Sequence, residues 1–222
     1  MNTKVKKIMP FAIVIILLLT IVIGVLISPK TYAATTDDGL FEYTVIRSEY
    51  VSISSYLGNE TTVTIPSSIE GYPVTTIGNS SFRGCTSTNI IIPNSVTTIM
   101  EGAFWRCTNL TSIDIPSSVT SIEGDNLFAG CSSLKTINID SNNSKYSNYN
   151  QDGILYNKNI STIICYPAGK TITTFSIPSE VKSIQNSAFS GCNNLSEITI
   201  PSSVTTVSYT HLRAHETRGN LV

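Results

Sequence analysis

AFWRCTNLTSIDIPSSVTSI, residues 103–122, decides the fold, because most of the remaining chain is this unit written again with small edits. Set on Pro116, the unit places Leu110, Ile113 and Ile115 before the proline and Val119 and Ile122 after it, with Phe104 and Cys107 leading. The frame recurs on Pro201 with Phe189, Cys192, Leu195, Ile198, Ile200, Val204 and Val207. It recurs on Pro93 with Phe82, Cys85, Ile90, Ile92, Val96 and Ile99, and passes through Asp140 with Phe128, Cys131, Leu134, Ile137 and Ile139. Pro178 keeps Ile172, Phe175, Ile177, Val181 and Ile184, and Pro66 keeps Val63, Ile65 and Ile69. Pro93 and Pro116, like Pro178 and Pro201, stand 23 residues apart. A fixed period of that length is the mark of a solenoid, in which each unit buries its apolar face only against its neighbours.

Within one unit, Ile113 and Ile115 alternate with Ser112 and Asp114, the period of a strand with one buried face. Pro116 ends that strand, since it has no amide to donate to a ladder. Stacking the units puts these strands in a parallel sheet, and Val119 and Ile122 turn back across the interior. Phe104 is expected in the core on the convex side, carried by a short helical or 3₁₀ turn.

The Leu-x-x-Ile-x-Ile-Pro strand, the Val-Thr-x-Ile return and the Ala-Phe-x-x-Cys turn resemble the BspA-type leucine-rich repeat, from about Leu40 to Thr206. The resemblance implies a secreted or surface-displayed binding protein, with adhesion to host, matrix or other cells as its role. The expected fold is α/β in class and β-rich: a leucine-rich-repeat solenoid with a parallel concave sheet, short convex helical or 3₁₀ turns and one β-hairpin insertion.

The expected organisation has five parts. Residues 1–33 read as an export signal: Lys4, Lys6 and Lys7 precede an apolar run of 17 residues from Phe11 to Ile27, and Thr31-Tyr32-Ala33 supplies a small-residue cleavage context. An uncleaved anchor is the alternative, since a bilayer span needs roughly 20 residues. Residues 34–64 carry capping strands, Phe41–Ile46 and Tyr50–Ile53, which shield the first sheet edge. Residues 65–206 are the repeats, with an enlarged rung at 141–170. There Gly153-Ile154-Leu155-Tyr156 and Ser161-Thr162-Ile163-Ile164-Cys165-Tyr166 flank an Asn/Lys turn, the pattern of a hairpin. From Val207 the frame stops, and residues 207–222 resemble a translated sequencing adapter, so further repeats are expected in the natural protein.

Composition excludes several chemistries. Between Ala34 and Thr206 there are 8 Lys/Arg and 14 Asp/Glu, a net charge of −6. A mildly acidic body without a basic stripe argues against nucleic acid. Both histidines, His211 and His215, lie in the terminal string, so the body has no His for acid–base, Cys–His or His-bearing zinc chemistry. The chain is accordingly read as a non-enzyme without cofactor or metal. Cys85, Cys107, Cys131 and Cys192 share one repeat position and are expected as a column of free buried thiols, because parallel Cβ vectors do not suit a disulfide. Asn148-x-Asn150-x-Asp152-Gly153 has the outline of a calcium loop but lacks the acidic first ligand and, at Asn159, the bidentate Glu.

Candidate contact residues are those that vary between copies. Trp105 and Arg106 occupy a turn whose other copies carry small residues or Arg83. Ser112, Asp114, Lys135, Thr136, Asn138, Ser196, Glu197 and Thr199 are expected on the outward sheet face, where repeat proteins commonly bind. Tyr146, Tyr149, Tyr156 and Tyr166 are a candidate aromatic patch or else strand packing. The expected partner is an extracellular protein or glycan, such as host matrix, with membrane contact only through an uncleaved N-terminal segment. The alternative reading is a targeting module of a larger exported enzyme, such as a hydrolase.

Overall fold

The computed structural model describes residues 30–208. The apolar run from Phe11 to Ile27 and the string from Tyr209 onward lie outside the described residues. Among the described residues no helix is long and apolar enough to cross a membrane.

The strand before each proline stacks in parallel register with its copies. Thr62–Thr64, Asn89–Ile91, Ser112–Ile115 and Thr136–Ile139 form one four-stranded sheet. Its register puts Val63 beside Ile90, Ile90 beside Ile113 and Ile113 beside Ile137, so the inward row is continuously β-branched and apolar. Thr174–Ser176 and Glu197–Thr199 form a separate parallel pair.

The return segment does more than cross the interior. Tyr50–Tyr56, Tyr72–Ile77, Thr98–Ile99 and Ser121–Ile122 form a second parallel ladder. Each coil therefore contributes two strands to two ladders, with the proline corner between them. The Phe41–Ile46 strand pairs antiparallel with Tyr50–Tyr56, as expected of a cap, and Tyr32–Thr35 adds a further antiparallel strand outside it. Ala33, where the export signal is expected to end, sits in that outermost strand. Ser68–Ile69 turns back on Tyr72–Ile77 through Glu70 and Gly71. Both have positive φ, 53° and 80°, the pattern of a type I′ hairpin turn.

The convex turns are not helical, which corrects the expected α/β class to all-β for the described residues. The reason is visible in the turn from Gly102 to Cys107. Alternate amides there leave the coil: Gly102, Phe104 and Arg106 donate to Asp125, Leu127 and Ala129 of the next coil at 3.1, 3.1 and 2.8 Å. The amides between them, Ala103, Trp105 and Cys107, close three-residue turns within the coil. A helix would need every amide for its own carbonyls, and half are committed to the neighbour.

The core follows the stacking. Phe41, Tyr56, Phe82, Phe104 and Phe128 make one aromatic column, with centroids 5.3–5.6 Å apart between successive rings. Val119, Cys107 and Leu110 are fully buried in the same core. A second core gathers Ile154, Tyr156, Ile163, Tyr166, Ile177, Val181 and Ile184. Two positions of the repeat frame leave the core: Ile172 is 49% and Ile200 56% exposed. Ile200 belongs to the last described coil, so no described residue stacks over it.

The enlarged rung explains why the first sheet stops. Leu155–Asn157 pairs antiparallel with Thr162–Cys165, the expected hairpin, and Tyr146–Ser147 adds a third antiparallel strand. Thr162–Cys165 then leads a parallel ladder with Ser183–Ile184 and Thr206–Val207. The outer edge of Thr136–Ile139 is closed by the insertion itself. Ile137 N donates to Gly153 O at 2.9 Å, and the Asn148 side chain behaves as a peptide group. Its Oδ1 accepts from Ile139 N, and its Nδ2 donates to Ile137 O and Ile154 O, at 3.2, 3.0 and 2.6 Å. Tyr166 takes the place of the core phenylalanine in this rung, stacked 5.4 Å from Phe189. Its amide donates to Ala188 O just as Phe82 N donates to Ala103 O. Gly169 passes so close to Ser133 that a Cβ would lie 2.4 Å from the Ser133 carbonyl carbon. On the far flank the stack continues across the insertion, with Asn186 Nδ2 donating to Asp125 Oδ2 at 3.0 Å and Gln185 Nε2 to Gly124 O at 3.2 Å.

Candidate functional site

The residues singled out in the sequence fall in three places. On the four-stranded sheet, the outward side chains form two registered rows. One runs Thr62, Asn89, Ser112, Thr136, and the other Thr64, Ile91, Asp114, Asn138. Asn138 Nδ2 donates to Asp114 Oδ1 at 2.7 Å, so the acid and amide are held together. Both are exposed, while Ile113 and Ile137 between the rows are 1% and 0% exposed. Ile91, 45% exposed, adds an apolar contact to the second row. Asp114, Asn138 and Asp140 line a depression of about 330 Å³ floored by Ile92, Ile115, Pro116 and Ile139. Lys135 is exposed just before its strand, with its amide tied to Thr111 O.

Glu197 and Thr199 are exposed, but on the separate two-stranded sheet beyond the insertion. They share no sheet with Asp114 and Asn138, because Gly153 and the Asn148 side chain close the edge between them. Trp105 and Arg106 lie on the turns, and the two residues that flank the indole are both arginines. Arg83 stands 4.2 Å and Arg106 5.1 Å from the Trp105 ring centroid. Arg83 did not stand out in the sequence, although it fills the Trp105 position one coil earlier and so had to lie beside it.

Of the two readings of the insertion tyrosines, packing holds for three, while Tyr149 is half-buried. Tyr146, Tyr156 and Tyr166 are 8%, 0% and 2% exposed, because the three antiparallel strands of the insertion fold their aromatic faces inward. Tyr146 OH accepts from Ile122 N at 2.7 Å, and Tyr156 OH donates to Asp152 Oδ2 at 2.9 Å. Asp152 also accepts from Ile154 N at 2.9 Å, so the residues with a calcium-loop outline are occupied in holding the insertion. Burial raises the Asp152 carboxyl above its ordinary value despite these bonds.

Cys85, Cys107 and Cys131 form the expected buried column, whereas Cys192, beyond the insertion, is half-buried. Cys107 Sγ donates to Phe82 O and Cys131 Sγ to Phe104 O, each at 3.0 Å, linking every turn to the preceding coil. Cys85, Cys107, Cys131, Cys165 and Cys192 are all free. Contact with Cys107 pulls the Cys85 thiol down to about 6, while contact with Cys131 first, then with Cys85, together with burial, pushes Cys107 far up. Among the described residues no group of three His, Cys, Asp or Glu is placed to hold a metal. At the cap, Glu70 accepts from Tyr32 OH and Tyr43 OH, which lowers its carboxyl. In return the bond to Glu70 raises Tyr32 to about 12, and burial followed by Glu70 raises Tyr43 to about 12.

Two parallel ladders, an aromatic column and a strand ended by proline in all but the Asp140 coil define a leucine-rich-repeat β-solenoid. A family model, the BspA type leucine-rich repeat region, matches residues 51–172 and 158–215 in six copies, and the chain belongs to that family. Solved bacterial structures resemble it. A T. pallidum leucine-rich repeat protein is 24% identical with a TM-score of 0.51, over 78% of this chain and 86% of that one. A leucine-rich repeat protein from Eubacterium ventriosum is 25% identical with a TM-score of 0.45, over 80% of this chain and 62% of that one. A leucine-rich cell surface protein from Faecalibacterium prausnitzii is 22% identical with a TM-score of 0.49, over 81% of this chain and 73% of that one. The chain thus spans less than two thirds of the E. ventriosum protein. A search of curated protein sequences finds no match.

Proposed function

We propose that this chain is a surface-displayed, non-enzymatic binding protein whose four-stranded sheet contacts an extracellular protein. The observation that carries the reading is the pair of outward rows, held in register over a β-branched apolar core. A rigid parallel ladder fixes its exposed side chains before any partner arrives, which lowers the ordering cost of association. Asp114 and Asn138 hold each other, Ile91 offers apolar area beside them, and Asp140 borders the depression. Such a face is mixed in chemistry, as protein-binding surfaces are. The absence of His from Ala34 to Thr206 supports a role without acid–base catalysis. Display at the cell surface rests on the export-signal reading of residues 1–33 and on the family resemblance.

The test is binding to a panel of immobilised extracellular matrix proteins, comparing the wild type with the Asp114→Ala, Asn138→Ala double variant. Saturable binding that falls by about tenfold in the double variant, with an unchanged melting temperature, supports the sheet face. Equal binding by both proteins would remove this face from the contact.

A further inference from the structure

One turn motif closes four coils, and its copies can be compared position by position. They read Phe82-Arg83-Gly84-Cys85, Phe104-Trp105-Arg106-Cys107, Phe128-Ala129-Gly130-Cys131 and Phe189-Ser190-Gly191-Cys192. The third residue has left-handed backbone in every copy, with φ of 72°, 60°, 79° and 78°. Three copies use glycine, which enters that region without steric penalty. The second copy uses Arg106, whose Cβ opposes the same conformation. Strain of this kind at a single copy, where the fold's own solution is glycine, points to a use for the side chain.

Packing uses only the stem of that side chain, whose Cγ lies over Gly130 of the next coil, and leaves its charged head outside the core. Arg106 is exposed, as is Arg83, and Trp105 is half-buried. The two guanidiniums stand 4.2 and 5.1 Å from one indole, and so no more than about 9 Å apart. Among the described residues neither has a carboxylate partner. Two unpaired guanidiniums on one aromatic ring, in a body of net charge −6, form a local positive site.

We propose that Arg83, Trp105 and Arg106 bind an acidic saccharide: the guanidiniums grip its carboxylate or sulfate, and a sugar face lies along the exposed part of the indole. Guanidinium is the group best matched to a planar oxyanion, through paired N–H donors. A saccharide fits better than an acidic peptide because the backbone here offers no free edge. Gly84 N donates to Trp105 O, Trp105 N to Gly102 O and Arg106 N to Ala129 O, each at 2.8 Å. A flexible peptide would have to be ordered without strand pairing or a groove, whereas a sugar ring arrives ordered. The inference rests on the binding-protein reading but places this contact on the turns and not on the sheet.

The variants that test it are ones the fold already accepts. Ala129 occupies the position of Arg83 and Trp105, and glycine that of Arg106, so Arg83→Ala, Trp105→Ala and Arg106→Gly reproduce a neighbouring turn. The purified full chain is titrated against heparin, hyaluronan, neutral dextran and poly-glutamate by biolayer interferometry. The expected result is saturable, salt-sensitive binding to heparin or hyaluronan and none to dextran, with the triple variant weakened by about tenfold or more at an unchanged melting temperature. Heparin alone would assign sulfate, and hyaluronan alone carboxylate. No binding to either polymer, equal binding to dextran, equal or tighter binding to poly-glutamate, or undiminished binding by the triple variant would each overturn the proposal. The Asp114→Ala, Asn138→Ala variant should retain saccharide binding, so failure here and failure of the sheet face are separately visible.

Discussion

Asn143 is the buried polar side chain whose loss should matter most. It is 0% exposed, and its carboxamide makes four bonds. Nδ2 donates to Pro116 O and Val119 O at 2.9 and 3.0 Å, and Oδ1 accepts from Lys145 N and Tyr146 N, each at 2.9 Å. The side chain thus fastens the first turn of the insertion to the proline corner of the preceding coil. Alanine there removes all four bonds and leaves Val119 O and the Lys145 and Tyr146 amides to find new partners, while Pro116 O keeps its bond from Val119 N. At about 1 kcal/mol per net hydrogen bond, and more for each group that stays dry, the loss should be about 4 kcal/mol. That is a large share of the roughly 5–15 kcal/mol that holds a domain together. Urea unfolding of wild type and Asn143→Ala, read by the shift of midpoint at constant slope, measures it. Asn143→Asp separates the two halves of the contact. It keeps the acceptor for Lys145 N and Tyr146 N, but turns a carboxylate oxygen toward two carbonyl oxygens, so it should be no more stable than alanine at neutral pH. Acidification should recover part of the loss, as the protonated carboxyl regains one donor. A loss below about 1 kcal/mol in Asn143→Ala would refute the reasoning, since four bonds to a buried carboxamide, two of them fully buried, cannot be replaced so cheaply.

Two further predictions concern the same rung. Tyr166 is buried at a position where other coils have phenylalanine, and its hydroxyl has no hydrogen-bond partner among the described residues. Tyr166→Phe should therefore raise stability by about 1–2 kcal/mol, and a lower urea midpoint would show that the hydroxyl is satisfied in solution. Asp152 has a carboxyl raised by burial, so the folded state holds its proton more tightly than the unfolded chain does. Its contribution is fully present below the ordinary aspartate range and is lost as pH rises through the raised value, leaving a cost at neutral pH. Asp152→Asn should then gain on the wild type between pH 4 and pH 7 in thermal unfolding, and a pH-independent difference would contradict the burial argument.

The repeats were legible in the sequence because a solenoid writes its packing rule once per coil. Val63, Ile90, Ile113 and Ile137 occupy one frame position, so reading one places the others. The insertion hairpin was legible from its two apolar runs. The convex turns were misread because spacing cannot tell a helical turn from one whose alternate amides bind the next coil. The tyrosines of the insertion were undecided because composition does not reveal which way a three-stranded excursion folds. The contact of Arg83 with Trp105 was not legible because the two lie 22 residues apart, one coil on.

What the sequence determined alone is the coil: its period, its buried face, its proline corner and the lack of histidine from Ala34 to Thr206. Those are local properties, repeated along the chain and readable wherever they recur. Tertiary structure alone decided that each coil feeds two ladders, that Asn148 closes the first sheet with a side chain, and that Glu197 and Thr199 share no sheet with Asp114 and Asn138. It also decided that Arg83 and Arg106 meet over Trp105. These depend on which coil lies against which, and a contact between neighbouring coils joins residues a full period or more apart, where no local pattern records the meeting.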